Sequence, residues 1–275
     1  MMRDLRVAVV CMQSYYGRTE ENLARIESYI RDASSNNAHI ICFPELAITG
    51  YSIRNDPLPY AQPIPGSISE RIVAIARQYK LVVLAGMLEK TEENGIYITQ
   101  LVAGPRGLIG TYRKTHLSPQ EKKLYTPGRG LQTFAHSRCR FGMQLCYEAH
   151  FPELTTIMSL QGAEIVFFCH ASPHGSPEEK KESWARHLPA RAFDNGIFVV
   201  ACNQVGENGT GLSFPGVTMV FDPAGKSLYE YAGETERIVI AELRHNDLRK
   251  VREHRMKYFL PFRRPELYTA ISRVQ

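Results

Sequence analysis

Hydrophobic and polar positions alternate along this chain with two periods. Leu5 to Met12 is a continuous apolar run, the pattern of a strand buried on both faces. From Gly17 to Asn37, Leu23, Ile26, Tyr29 and Ile30 recur at helical spacing, with Glu20, Glu21 and Arg31 on the wet side. His39 to Phe43 is the next buried strand. Pro44 ends it, and Glu45 stands at its C-terminal end, followed by a turn at Gly50-Tyr51. Ser67 with Glu70 forms a capping box for a helix to about Lys80, with Ile68, Ile72, Ile75 and Ala76 as its core face. Leu81 to Leu88, Gly95 to Ala103 and Leu108 to Tyr112 read as three further strands, the last running into Arg113-Lys114-Thr115-His116-Leu117.

A polar loop with Glu121 and Gly128 leads to the stretch from Arg140 to Glu153. Met143 and Leu145 alternate with smaller or polar neighbours, as in a half-buried strand, which delivers Cys146 at its end. An abrupt turn follows, then a helix opening near Phe151-Pro152-Glu153 and running to about Gly162; Pro suits the first turn and Glu the positive end of the helix dipole. Glu164 to Cys169 is a strand. Ser176-Pro177-Glu178-Glu179 starts a capped helix to about Asn195, with Trp184 and Leu188 inward, which Pro189 must kink. Ile197 to Val205, Val217 to Phe221, Ser227 to Tyr231 and Glu236 to Leu243 are the remaining strands, with turn chemistry at Asp222-Pro223-Ala224-Gly225. A short helix and a tail complete the chain. Strands interspersed with helices, without linker, low-complexity segment or tandem repeat, predict one α/β domain over residues 1–275.

Composition changes this picture little. The chain of 275 residues is 44% hydrophobic and 22% charged, ordinary for a globular protein. A net charge of +5 is too modest to argue for nucleic acid, and the basic C-terminal part is interleaved with hydrophobic residues. Met1 to Leu5 lacks a signal peptide's apolar run, and no stretch is long enough to span a membrane. Cys11, Cys42, Cys139, Cys146, Cys169 and Cys202 show no framework spacing, so reduced thiols and a cytoplasmic location are expected.

The chemistry concentrates at strand ends. Glu45, Lys114 and Cys146 each stand at or just beyond the C-terminal end of an apolar strand, where α/β sheets bind ligands. A carboxylate can take the thiol proton, the thiolate can attack an electrophilic carbon, and an ammonium can stabilise the oxyanion. Backbone N–H groups at a helix start favour a thiolate at Cys146. Each residue also has a plainer reading: a buried structural cysteine, or a Glu45–Lys114 ion pair that merely fixes two strands. His170 and His174 beside Cys169 have the spacing of a metal pair, but Pro173 and Gly175 argue for a loop. His116 as the base of a Cys–His hydrolase is less economical than His116 as support for the Lys114 loop.

These residues resemble the Glu-Lys-Cys set of the nitrilase superfamily, the carbon–nitrogen hydrolases. The carrying segments are Ile41-Cys42-Phe43-Pro44-Glu45-Leu46, Tyr112-Arg113-Lys114-Thr115-His116-Leu117, and Cys146 through Phe151-Pro152-Glu153, with support in Arg191-Ala192-Phe193-Asp194-Asn195-Gly196 and Cys202-Asn203-Gln204-Val205-Gly206. The resemblance spans about residues 5 to 268. It implies a four-layer α-β-β-α sandwich paired into a homodimer or larger homo-oligomer, with the tail from about 255 to 275 packing on the domain or on a partner subunit. It implies Glu45 as general base, Cys146 as nucleophile, and Lys114 with the Tyr147 backbone N–H as oxyanion donors. Glu121 matches a further family glutamate that positions substrate. No metal or organic cofactor is implied.

The implied reaction is hydrolysis of a small amide or N-carbamoyl compound through a thioester. The alternatives are a nitrilase, or a non-catalytic binding protein on the same fold. Substrate contacts are expected from Tyr51, Tyr147, Glu148, His150, His170 and Ala171. Many relatives carry Asp and Arg where this chain has Glu148 and His150; loss of that Arg weakens an N-carbamoyl amino acid substrate, unless Arg186 or Arg191 substitutes.

Overall fold

The computed structural model describes residues 2–93 and 95–272. Among the described residues, fourteen strands form two six-stranded sheets and one small hairpin. The first sheet is built from β1 (Leu5–Cys11), β2 (Ile40–Cys42), β3 (Val82–Lys90), β4 (Ile96–Gly104) and β5 (Gly107–Arg113). The second takes β6 (Phe134–His136), β7 (Cys139–Leu145), β8 (Ile165–Cys169) and β9 (Phe198–Cys202). After the hairpin of β10 (Gly206–Glu207) and β11 (Ser213–Phe214), β12 (Gly216–Phe221) and β13 (Ser227–Gly233) complete the second sheet, and β14 (Arg237–Leu243) returns to the first.

The orders are β14-β1-β2-β3-β4-β5 and β13-β12-β9-β8-β7-β6. Both sheets carry the same pairing pattern: an antiparallel edge strand, three parallel strands, then two antiparallel ones. No tandem repeat marks this in the sequence, because strand pairing constrains hydrophobic pattern rather than identity.

Period-two alternation sorts the core into layers. Val7 and Val9 of β1 join Cys42, Leu84, Met143 and Phe167 in the cluster between the sheets. Ala8 and Val10 point the other way, against Leu23, Ile26 and Ile30 of α1 (Thr19–Ser35) and Ile68, Ile72 and Ile75 of α2 (Ser67–Tyr79). On the far side of the second sheet lie α3 (Pro152–Leu160), α4 (Pro177–Ala185) and α5 (Leu188–Asn195), with Trp184, Leu188 and Ala192 buried. The layers are therefore α-β-β-α. Each fully buried Val, Leu or Ile contributes about 1.5–3 kcal/mol relative to exposure, so the sandwich core holds the strand ends fixed.

Local differences from the sequence reading have physical reasons. The second helix begins one residue early: Glu70 N–H already bonds the Gly66 carbonyl, so Gly66 is the N-cap in place of Ser67, and Ser69 Oγ in place of the Glu70 carboxylate accepts the N-cap N–H, at 2.9 Å. The Ser176–Glu179 box forms reciprocally. Beyond it, the expected single helix divides into α4 and α5, because Pro189 near the start of α5 has no N–H to continue the first. The strand expected to Val205 ends at Cys202. β7 is buried on both faces rather than one: Gly142 leaves room for Met158 of α3, and the Thr155 hydroxyl donates to Gln144 Oε1. β6 and the small hairpin were not legible, being only two or three residues each. The chain continues through α6 (His245–Arg252) into short turns that reach Ser272; residues 273–275 of the expected tail lie outside the described residues.

Candidate functional site

Lys114, Glu45 and Glu121 meet in the interior at the ends of β5 and β2. The Lys114 ammonium donates to Glu45 Oε1 at 2.8 Å and to Glu121 Oε1 at 2.7 Å, and its side chain is wholly shielded from solvent. Two of its three hydrogens are thereby engaged and one is left to point elsewhere. Glu45 Oε2 accepts the Ala171 N–H at 3.1 Å, just past β8. Glu121 accepts from the Tyr51 hydroxyl at 3.0 Å and the Ser118 N–H at 2.7 Å.

Cys146 sits at the turn after β7 with φ of +41°, a left-handed conformation that a non-glycine residue adopts at a cost of about 1–3 kcal/mol. The turn continues as a 3-10 segment to His150, and α3 starts only at Pro152. Glu148 holds this turn. Its side chain is fully buried; Oε2 accepts the Leu145 N–H at 2.7 Å, Oε1 accepts the Thr115 N–H at 2.7 Å and hydroxyl at 2.5 Å, and the Tyr112 hydroxyl spans both oxygens. One carboxylate thus fastens the Cys146 turn to the Lys114 loop. The expectation that Glu148 faces substrate is corrected here: its acceptor sites are spent on the scaffold.

Burial pushes the Glu45 carboxyl up, Glu121 adds to this, and Lys114 only partly offsets it, leaving Glu45 at about 7. For Glu121, burial is outweighed by Lys114, Ser118 and Tyr51, so it lies below the usual carboxylate range. Burial works against the Lys114 charge, but the two carboxylates win and hold it protonated. The Cys146 thiol is pushed up to about 12 by burial and by Glu45, against the pull of Lys114 and the Ala171 N–H. The expectation of a resting thiolate is thus corrected: two carboxylates and burial outweigh one ammonium and the nearby N–H groups. The resting pair is a thiol beside a carboxylate base.

The substrate-side candidates divide. Tyr51 and Ala171 are buried and bonded to Glu121 and Glu45. Tyr147 is half-buried and, with Leu117, Tyr125 and Phe151, lines a hollow of about 580 Å³ rimmed by Lys122. His150 is exposed, with its ring 5.4 Å from that of His187. His170 is buried and stacked at 3.9 Å on Trp184, and its Nε2 has no hydrogen-bond partner; His174 is exposed on the following turn. His116 engages Thr115 Oγ1 at 2.8 Å and stacks on Phe151, a supporting position.

Sequence reasoning assigned no role to three positioning residues. Gln204 donates to the Glu45 carbonyl at 2.8 Å, Asn203 brackets Ser172 through both its amide groups, and the Tyr125 hydroxyl bonds the Ser52 carbonyl. The available signal was amides directly after a strand end, where side chains meet irregular backbone.

With a cysteine, two carboxylates and one lysine on this α-β-β-α sandwich described, the chain can be compared with known proteins. The carbon–nitrogen hydrolase family model matches residues 6–253. The chain belongs to the carbon–nitrogen hydrolase family. It is 31% identical to a nitrilase of Pyrococcus abyssi, over 92% of this chain and 93% of that protein. It is 28% identical to the omega-amidase NIT2 of Mus musculus, over 99% of each. Its fold matches Saccharomyces cerevisiae Nit3, a member of the nitrilase superfamily, with a TM-score of 0.83 and 25% identity over 91% of this chain and 94% of that one. This carbon–nitrogen hydrolase has, among its described residues, no helix long and apolar enough to cross a membrane.

Proposed function

We propose that this carbon–nitrogen hydrolase cleaves a small amide or N-carbamoyl compound through an acyl-enzyme on Cys146. The observation that carries this reading is the buried Lys114 ammonium held between Glu45 and Glu121 with one hydrogen uncommitted, beside the strained turn that presents Cys146; in keeping with it, burial and Glu45 push the thiol up to about 12 and burial raises Glu45 to about 7. A base near neutral pH is poised both to accept and to return a proton.

Glu45 takes the Cys146 proton as Sγ bonds the substrate carbonyl carbon, and the carbonyl electrons move onto oxygen. The third Lys114 hydrogen and the Tyr147 N–H receive that oxyanion. On collapse the C–N bond breaks, and Glu45 returns its proton to the departing ammonia or amine. Water then gives a proton to Glu45 and attacks the thioester; the acid leaves and the thiol recovers its proton. Glu121 keeps Lys114 protonated and aimed. Nitrile addition would use the same groups, and the nitrilase relative supports keeping it as the second reading.

We also propose that the whole chain acts as one hydrolase domain within a homodimer. Leu160 of α3, Phe193 of α5 and Phe259 of the tail are exposed, and the Phe193 and Phe259 rings lie 5.8 Å apart. Exposed apolar side chains on these neighbouring elements suit a second copy of the chain. The compartment we propose is the reducing cytoplasm, since Cys42 Sγ lies 3.4 Å from Cys169 and 4.0 Å from Cys202, where an oxidant would join them.

The test is ammonia release from small amides, N-carbamoyl compounds and nitriles by wild type and Cys146→Ala. Cys146-dependent ammonia from amides supports the reading, nitriles alone favour the second, and Cys146-independent release would sink both.

A further inference from the structure

Three cysteines that the hydrolytic machinery does not use meet between the sheets. Cys42 ends β2, Cys169 ends β8 and Cys202 ends β9, and all three are free and wholly buried. Cys169 and Cys202 are register partners on adjacent parallel strands, so they stand at the same level of the second sheet. Across the gap, Cys42 Sγ lies 3.4 Å from Cys169 Sγ and 4.0 Å from Cys202 Sγ.

The chain leaving each cysteine runs directly to Glu45 or to a group that holds it. Glu45 stands three residues after Cys42. Ala171, whose N–H donates to Glu45 Oε2 at 3.1 Å, stands two residues after Cys169. Gln204, which donates to the Glu45 carbonyl at 2.8 Å, stands two residues after Cys202. Such segments span at most about 10 Å, and the packed interior transmits a shift along them.

Bonded sulfurs lie about 2.05 Å apart, so joining Cys42 to Cys169 closes their 3.4 Å separation by ~1.3 Å and draws the end of β2 toward that of β8. Sandwich folds do carry disulfides between their sheets. A catalytic group misplaced by about 1 Å can lose about 100-fold in rate. We propose that Cys42 and Cys169 form a redox switch: hydrogen peroxide joins them, and the new bond displaces Glu45 and stops hydrolysis. The bond itself is independent of the hydrolase reading; its effect on turnover rests on that reading.

One sulfur attacks a peroxide oxygen, the O–O bond breaks, and the thiol proton leaves with the departing hydroxide as water. The second sulfur attacks the resulting sulfenic acid. The S–S bond forms, the S–O bond breaks, and the second thiol proton leaves with hydroxide as water. Two thiols are oxidised and one peroxide is reduced, and a thiol reductant reverses the bond by exchange. Peroxide reaches the buried sulfurs through local opening of the strand ends.

The experiment treats wild type, Cys42→Ala and Cys202→Ala with hydrogen peroxide, blocks free thiols with N-ethylmaleimide in denaturant, and maps the unreduced peptides by mass. Cleavage at glutamate as well as at lysine and arginine separates Cys169 from Cys146, because Glu148, Glu153 and Glu164 lie between them. Amide turnover is measured before treatment, after it, and after dithiothreitol. Each variant removes one sulfur from the same cluster, so both share any loss of packing. The expected result is a Cys42–Cys169 peptide pair, lighter by two hydrogens, in wild type and Cys202→Ala and absent from Cys42→Ala. Linked molecules turn over about 100-fold more slowly, beyond the share of loss due to oxidised Cys146 in the same map, and dithiothreitol restores the rate. No Cys42–Cys169 link at peroxide levels that oxidise Cys146, or a link confined to another pair, overturns the proposal. Linked protein with undiminished turnover overturns the switch and leaves the hydrolase reading intact; absence of turnover on every amide by the untreated enzyme overturns both.

Discussion

The Lys114 ammonium lies 2.8 Å from Glu45 Oε1, and both side chains are wholly shielded from solvent. Glu121 shares the same ammonium, so one positive charge serves two buried carboxylates. Replacing Lys114 by Met would leave both buried carboxylates without their counter-ion, holding only the Ala171, Ser118 and Tyr51 donors. The expected loss is about 3–5 kcal/mol in urea denaturation, with turnover abolished. A Lys114→Met protein of wild-type stability would mean that the carboxylates do not depend on this lysine.

The raised Glu45 pKa sets a pH dependence. Below about 7 Glu45 carries its proton and cannot take one from Cys146. The acid limb of kcat/KM should therefore bend near pH 7 and fall tenfold per unit below it, and Glu45→Gln should remove turnover altogether. The stability contribution of the same group runs in the opposite direction. It is fully present below 4.5, the unfolded value, and is lost as pH rises to about 7, because the folded state resists ionisation. A pH–rate profile with no bend between 6 and 8 would argue against Glu45 as the base.

Glu148 offers a test of scaffold against substrate contact. Glu148→Gln puts an amide donor against one of the N–H or O–H groups that the carboxylate now accepts. Stability should fall by about 1–3 kcal/mol, and activity should fall through kcat as the Cys146 turn and the Lys114 loop lose register. A rise in KM alone, with stability unchanged, would return Glu148 to the substrate side.

Much of this was legible because it rests on periodicity. The buried runs of β1, β2 and β8 and the stripes of α1 and α2 announce those elements and one α/β domain, while the four-layer arrangement came only with the family resemblance; the order Glu45, Lys114, Cys146 at strand ends announces the proposed site. What stayed hidden depended on contacts distant in sequence. Glu148 reads as a charged residue beside the cysteine, and only the fold brings Tyr112 and Thr115 to it. The elevated thiol was equally hidden, because desolvation by two sheets cannot be summed from local spacing.

The exposed face of α3, α5 and the tail predicts self-association. Wild type should sediment as a dimer at micromolar concentration. Phe193→Asp should weaken the dimer by about tenfold or more, since a charge then replaces an apolar anchor. A wild-type monomer would leave this apolar face without its proposed occupant.

The central claim is that Cys146 carries the acyl group during turnover. It is tested most directly by acid-quenching the enzyme while it hydrolyses a good amide and measuring the mass of the intact protein and of its peptides. The account predicts one acyl adduct, located on the peptide containing Cys146 and absent from Cys146→Ala. An adduct on another residue, or continued hydrolysis by folded Cys146→Ala protein, would contradict it.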